Sequence, residues 1–323
     1  MSLINTVLGP IAPDKLGPTL AHEHIVLGYC GWECDAFSLP YDREKIVKIC
    51  VEMLKPVKQY GLKSIIDATP IDLGRDVEVM KEVSEKSGIN IICSTGMYTE
   101  EQGEWAYYRQ RYRLKTGDPT AEMRDTYLKE LTQGIGTTGV KAGVIKVATG
   151  HSKISELEMT SLKAAARAQK ETGAPIITHT EGGTMGPEQM DALISEGANP
   201  AKIMCGHMCG SGLVEYQLAV IGKGVNIAFD RFGIETIMPD AVRTATLIGL
   251  LGLGFADRIL LSHDFIAYKM GREQILPENI RQLVANWSYA HVFRNIIPAL
   301  KRAGVTDNQI NMMMVENPRR LLS

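Results

Sequence analysis

The chain has 323 residues, 45% hydrophobic and 22% charged, a composition of globular domains rather than of disordered or low-complexity segments. Its 35 basic and 37 acidic residues give a formal charge of -2, without the cationic excess that nucleic acid or an anionic membrane surface requires. No apolar run approaches the roughly 20 residues of a bilayer span, and the opening MSLINTVLGPIAPDKLGP lacks the basic and long apolar regions of a secretory signal.

Taken in chain order, eight short apolar segments read as strands: 18–27, 63–69, 90–97, 143–149, 174–180, 203–208, 225–230 and 258–264. Continuous apolar strands are buried on both faces, as in parallel sheets. Between them, amphipathic stretches at 42–59, 155–170, 187–196, 212–222, 238–251 and 284–302 read as helices. Extended loops are expected at 98–119 and 265–283. Strand–helix alternation implies parallel strands with right-handed crossovers. No linker or composition shift divides the chain. The expectation is one (β/α)8 barrel domain over 1–323, of the α/β class.

Six cysteines, at positions 30, 34, 50, 93, 205 and 209, are too sparse for a disulfide scaffold and point to the cytoplasm. Cys205, His207 and Cys209 in CGHMC form only a weak zinc motif, because no second pair lies nearby in sequence.

A parallel barrel places its active site at the C-terminal strand ends. His22 and His24, two apart on the first strand, point to one side; paired core histidines would look the same. Lys146 ends the apolar run GVIK. A buried ammonium there either pairs with a carboxylate such as Asp264 or loses its proton and reacts with carbon dioxide to give an anionic carbamate. His179 and His207 end the fifth and sixth strands, and Asp264 the eighth. Each alone reads as a core histidine or a turn cap. Together they converge on one barrel mouth as a nitrogen–oxygen ligand set that suits two divalent ions. Such ions share a water and lower its pKa. His263 should face away from that set as support; His151 and His291 read as surface or helix residues.

The combination of LGPTLAHEH, VIKVATG, THTEGG, CGHM, LLSHD and ENPRRLLS resembles the phosphotriesterase family of the amidohydrolase superfamily, across essentially the whole chain. The resemblance implies a (β/α)8 barrel with a binuclear metal centre. It implies His22, His24 and Asp264 on the more buried ion, His179 and His207 on the more exposed one, and a carboxylated Lys146 as the bridge. Zinc is the first expectation; cobalt, manganese and iron also suit the set.

Within the family, the chain is most similar to the phosphotriesterase-like lactonases. Tyr98 and Arg231 stand where that branch carries tyrosine and arginine, and the segment from Asp264 to Trp287 is as short as its loop 8. The expected activity is opening of N-acyl-homoserine or alkyl lactones by a metal-bridging hydroxide. Tyr98 would assist the oxyanion, Arg231 would order or neutralise the pocket, and Asp264 would accept the proton. Phe265, Ile266, Tyr268 and Met270 would line an acyl pocket. Weak organophosphate triesterase activity would accompany this. Alternatives are a dedicated triesterase and a sugar-phosphate lactonase using Arg109, Arg111, Arg113 and Lys115, or Lys269 and Arg272. A metal-containing ligand-binding protein is the non-enzymatic alternative. Small-molecule substrates and a homodimer, joined near Tyr29, Trp32 and Phe37, are the expected partners.

Overall fold

The computed structural model describes residues 3–103, 105–114 and 116–323. After a short antiparallel hairpin (Ile4–Thr6 with Gly9–Ile11) come eight parallel strands. These are β1 (Thr19–Leu27), β2 (Ser64–Asp67), β3 (Asn90–Gly96), β4 (Val144–Thr149), β5 (Ile176–Thr180), β6 (Ile203–Cys205), β7 (Asn226–Phe229) and β8 (Ile259–Leu261). Each pairs with the next in chain order. A further strand, β9 (Ile266–Lys269), pairs parallel with β1.

The barrel closes where the chain beyond β8 runs along β1. The Asp264 amide donates to the His22 carbonyl over 3.0 Å, and the His24 amide to the Phe265 carbonyl over 2.8 Å. Ile266 then pairs with His24 and Tyr268 with Val26. The register is unbroken, so β8 and β9 are one strand interrupted around Asp264. The segment 265–283, expected as a loop, therefore contains a barrel strand and the short helix Glu278–Leu283.

One side chain from each strand fills the barrel floor: Ala21, Ile66, Ile92, Val144, Ile177, Met204, Ala228 and Leu260. Ile4, Leu16, Leu321 and Leu322 plug it from below. Strand periodicity then carries Lys146, two residues above Val144, and His179, two above Ile177, into the next layer. On β1 the register slips between Leu20 and Glu23. That bulge lets both Ala21 and His22 face inward and keeps His24 in phase with His22.

The outer ring comprises α1 (Arg43–Lys58), α2 (Val77–Ser87), α3 (Ala106–Leu114), α4 (Pro119–Thr132), α5 (Glu156–Thr172), α6 (Gly186–Ser195), α7 (Val214–Ile221) and α8 (Asp240–Gly252). Asp42, Asp76 and Asp118 cap their helices, and Ser155 with Glu158 forms a capping box on α5. Two expectations are corrected here. The region 98–119 contains α3, and the helix expected over 284–302 begins only at His291. Among the described residues, no helix is long and apolar enough to cross a membrane.

Candidate metal centre

His22, His24, Lys146, His179 and His207 are all buried at the C-terminal mouth of the barrel. The Asp264 carboxylate, 14% exposed, faces them. The ligand atoms of His22, His24 and Asp264 lie within 4.8 Å of one another, as do those of His22, His207 and Asp230. His179 is in neither set, but its ring centroid is 4.5 Å from that of His207.

Hydrogen bonds at the back of each ring assign its front. His24 Nδ1 is 2.7 Å from Thr69 Oγ1, whose hydroxyl donates to the Val26 carbonyl. The ring proton therefore sits on Nδ1, and the Nε2 lone pair faces Asp264 Oδ1 at 3.1 Å. His22 Nδ1 lies 2.8 Å from Asp230 Oδ2, which leaves its Nε2 beside Lys146 Nζ at 2.8 Å. His207 Nδ1 is 3.1 Å from Asp230 Oδ1. One buried carboxylate, Asp230, thus orients a histidine for each half of the site. It contacts the nitrogens that face away from the centre, which makes it an orienting partner rather than a ligand. His179 Nε2 is 2.9 Å from Glu181 Oε2, and its Nδ1 faces the Tyr98 hydroxyl at 3.5 Å.

Two ligand candidates sit beyond their strands. β6, expected through 208, ends at Cys205, and β8, expected through 264, ends at Leu261. His207 and Asp264 adopt left-handed backbone at φ 60° and 56°, which costs a non-glycine residue on the order of 1 kcal/mol. Neighbouring carboxylates hold both in place. Asp230 accepts the His207 amide at 2.9 Å, and Glu23 accepts the amides on either side of Asp264. Close approach shapes the site as well. A Cβ on Gly206 would meet the Thr178 carbonyl oxygen at 2.0 Å, so only glycine fits beside His207.

Burial sets the electrostatics. It lowers Lys146 to about 8, so its neutral amine is accessible near physiological pH. Burial and the Lys146 charge lower His22 to about 4; burial, partly opposed by Glu181, lowers His179 to about 4. Burial also drives His207 well down. For Asp264, burial acts upward, but His207 and Arg231 outweigh it and hold the carboxyl well below its usual range. Neutral imidazoles and an ionised carboxylate are the protonation states a divalent cation requires. His207 Nε2 is buried without a hydrogen-bond partner, 3.7 Å from Asp264 Oδ2. An unsatisfied lone pair in a nitrogen–oxygen cluster is what a bound cation would satisfy, so the residues present fit a metal.

Above this layer a cavity of about 160 Å³ is lined by apolar Leu27, Leu73, Ile234, Ile237, Ile266 and Trp287. Tyr98 and Arg231 reach into it and are themselves buried. Arg231 Nε donates to Asp264 Oδ2, the partner that sequence reasoning had not paired with it.

Of the four expected pocket residues, Ile266 lines this cavity. Phe265 packs edge-on against Trp287 and Tyr289. Tyr268 faces α1 near Cys50. Met270 is buried beside Gly28 and borders a separate groove with Tyr29 and Trp32. His263 faces away from the centre and contacts Glu23, whereas His291, read as a surface or helix residue, is buried against Asp240 at 2.6 Å. The thiols of Cys205 and Cys209 are pushed up by burial to about 12 and about 11, which disfavours the thiolates a zinc motif needs. Asp230, Glu23 and Thr69 are the site residues that sequence reasoning missed.

The expected cationic cluster is largely neutralised. Arg109 pairs with Glu100, Arg111 with Glu122 and Arg272 with Asp35, while Lys269 lies over the Tyr29 ring. Lys115 lies outside the described residues.

Three similar proteins place the chain. It is 32% identical to an aryldialkylphosphatase of Saccharolobus solfataricus, over 97% of this chain and 97% of that protein. The structure of an organophosphorus hydrolase from Deinococcus radiodurans superimposes with a TM-score of 0.96 at 42% identity, covering 99% of this chain and 97% of the other. A structure from the engineering of organophosphate hydrolysis activity from a weak promiscuous lactonase template matches at 41% identity and TM-score 0.96, covering 100% of both chains. The model of the phosphotriesterase family matches residues 2–322. The chain is a hydrolase of the phosphotriesterase family.

Proposed function

We propose that this chain, as one barrel domain over 1–323, is a binuclear-metal lactonase with weak organophosphate triesterase activity. His22, His24, His179, His207, Asp264 and a carboxylated Lys146 would hold two divalent ions, zinc first. When bound, such ions supply a low-pKa water as nucleophile and polarise the substrate's carbonyl oxygen. The apolar cavity holds the lactone and its alkyl or acyl substituent and excludes bulk water. The Tyr98 hydroxyl donates to the oxygen that gains negative charge as the carbonyl carbon becomes tetrahedral. Asp264 accepts the proton released by the attacking water and returns it to the leaving alkoxide, giving a hydroxy acid. Arg231 keeps Asp264 ionised and aimed.

The observation that carries the reading is the meeting of these ligand-type side chains with a phenol and a guanidinium in one small apolar cavity. The similarity to a structure engineered from a weak promiscuous lactonase template supports the same direction. A second reading, a dedicated triesterase, is favoured by the similarity to an aryldialkylphosphatase and an organophosphorus hydrolase. The neutralised arginines argue against a sugar-phosphate lactonase.

Chelation should abolish lactone opening, and zinc, cobalt or manganese should restore it. Undiminished turnover after chelation would refute the metal-dependent reading, and no turnover in any metal state would leave a ligand-binding protein. A cytoplasmic homodimer belongs to the same proposal. It is supported by the free thiols of Cys34, Cys50, Cys93, Cys205 and Cys209 and by the exposed surface around Phe37, Leu39 and Tyr41, and sedimentation would test the dimer.

A further inference from the structure

Glu23 lies between the two histidines of β1 and, by strand alternation, points out of the barrel. It is completely buried. Its carboxylate gathers four donors from the segment that joins β8 to β9. Oε1 accepts from Ser262 Oγ at 2.7 Å, from the His263 amide at 3.0 Å and from His263 Nδ1 at 2.7 Å. Oε2 accepts from the Phe265 amide at 2.8 Å. The direction of the imidazole bond is settled by its far side. His263 Nε2 accepts from the Val292 amide at 2.9 Å, so the ring proton sits on Nδ1 and is donated to Glu23. Ser262 Oγ in turn accepts the His22 amide at 2.9 Å.

These bonds bracket one residue. The amides at 263 and 265 go to Glu23 and the amide at 264 goes to the His22 carbonyl. Between them Asp264 is held at φ 56°, in the left-handed region that any residue with a Cβ enters at a cost. An extended backbone at 264 would continue β8 straight into β9 and turn the carboxylate elsewhere. A neutral amide at position 23 cannot replace the carboxylate, because its NH₂ group would oppose the Phe265 or His263 donors.

We infer that Glu23 is a positioning residue that clamps the left-handed backbone of Asp264 and so aims its carboxylate at His22 and His24. The inference rests on the metal-centre reading given under Proposed function. It makes the central residue of His-Glu-His a working part of the site, coupled to Asp264 rather than to the two adjacent imidazoles.

The test is a double-mutant cycle on zinc affinity, measured by chelator competition on the metal-free full-length protein. Glu23→Gln should weaken zinc binding about 10–100-fold, as loss of an orienting partner does. Asp264→Asn should weaken it at least as much. The double variant should bind zinc like Asp264→Asn alone, because the clamp then holds nothing that matters. Glu23→Asp keeps the charge and shortens the reach; it should give an intermediate loss and supplies the same cycle if Glu23→Gln does not fold. Wild-type zinc affinity in both Glu23 variants, or losses that multiply fully in the double variant, would overturn the clamp while the metal-centre reading stands. Unchanged zinc binding in Asp264→Asn would overturn both.

Discussion

Arg231 and Asp264 form a buried contact in which the guanidinium Nε donates to Oδ2 over 2.9 Å. The other oxygen, Oδ1, lies 3.1 Å from His24 Nε2 and 3.6 Å from His22 Nε2. The carboxylate is therefore divided between a cation on one side and two imidazole lone pairs on the other. Its acidity follows from positive charge: burial pushes the carboxyl up, but His207, where protonated, and Arg231 pull it well below its usual range.

Replacing Arg231 by alanine removes a hydrogen bond between charged groups, worth about 1.5–3 kcal/mol in typical cases. Lactone kcat/KM should fall about 10–100-fold by the same measure, and the melting temperature should fall with it, because Asp264 is left buried without its cation. The steady-state constants of Arg231→Ala decide it, and wild-type turnover would remove Arg231 from the account.

Tyr98→Phe deletes only the hydroxyl that faces His179 at 3.5 Å and leaves the buried ring in place. If that hydroxyl donates to the developing oxyanion, kcat should drop by about tenfold or more while KM moves little. A change confined to KM would assign Tyr98 to ground-state binding instead.

Asp230 lies 2.8 Å from His22 Nδ1 and 3.1 Å from His207 Nδ1, so a single substitution should loosen both imidazoles. Asp230→Asn should lower zinc affinity about 10–100-fold, and metal analysis after gel filtration should find less than the wild-type content. Full occupancy with unchanged affinity would show that the shared carboxylate is dispensable.

The metal-free protein should lose stability in mild acid. His22 and His179 are held near about 4 when folded, against 6.5 in the ordinary state. Below about 6.5 the unfolded chain binds protons that the folded chain refuses, so stability is full above that pH and declines as pH falls toward about 4. Lys146 acts in the same sense at higher pH, because its folded value of about 8 lies below 10.5; its contribution is complete above 10.5 and lost as pH falls through about 8. Calorimetry of chelator-treated protein should show the melting temperature rising with pH across the histidine window. A flat profile there would contradict neutral, buried imidazoles.

Much of this architecture is legible in the residues. Buried parallel strands read as uninterrupted apolar runs, and a period of two is enough to bring His22 and His24 to one side. The convergence of Lys146 and His179 follows from their strand-end positions alone. Backbone handedness is less visible: nothing in MCGHM or LLSHD distinguishes a strand's last residue from a left-handed turn just beyond it. The bulge after Leu20 and the Glu23 and Asp230 carboxylates that hold these turns depend on contacts between distant segments. For Glu23 the partners lie 239 to 242 positions away. Helix α4 is a different omission. Asp118 followed by Pro119 is a local start signal of the usual kind, and it lay inside and just beyond a region read as loop. The strand Ile266–Lys269 was obscured because Asp264 breaks the extended backbone in front of it.

The most direct measurement is a parallel set of initial rates on zinc-loaded protein, with an N-acyl-homoserine lactone, a γ- or δ-alkyl lactone, a phosphorylated sugar lactone and paraoxon. An unphosphorylated lactone should give a kcat/KM far above that of paraoxon, with the phosphorylated lactone poor because Arg109, Arg111 and Arg272 are already paired. Paraoxon as the best substrate would contradict the lactonase assignment and make the cavity lined by Leu73, Ile237 and Trp287 a pocket for triester groups.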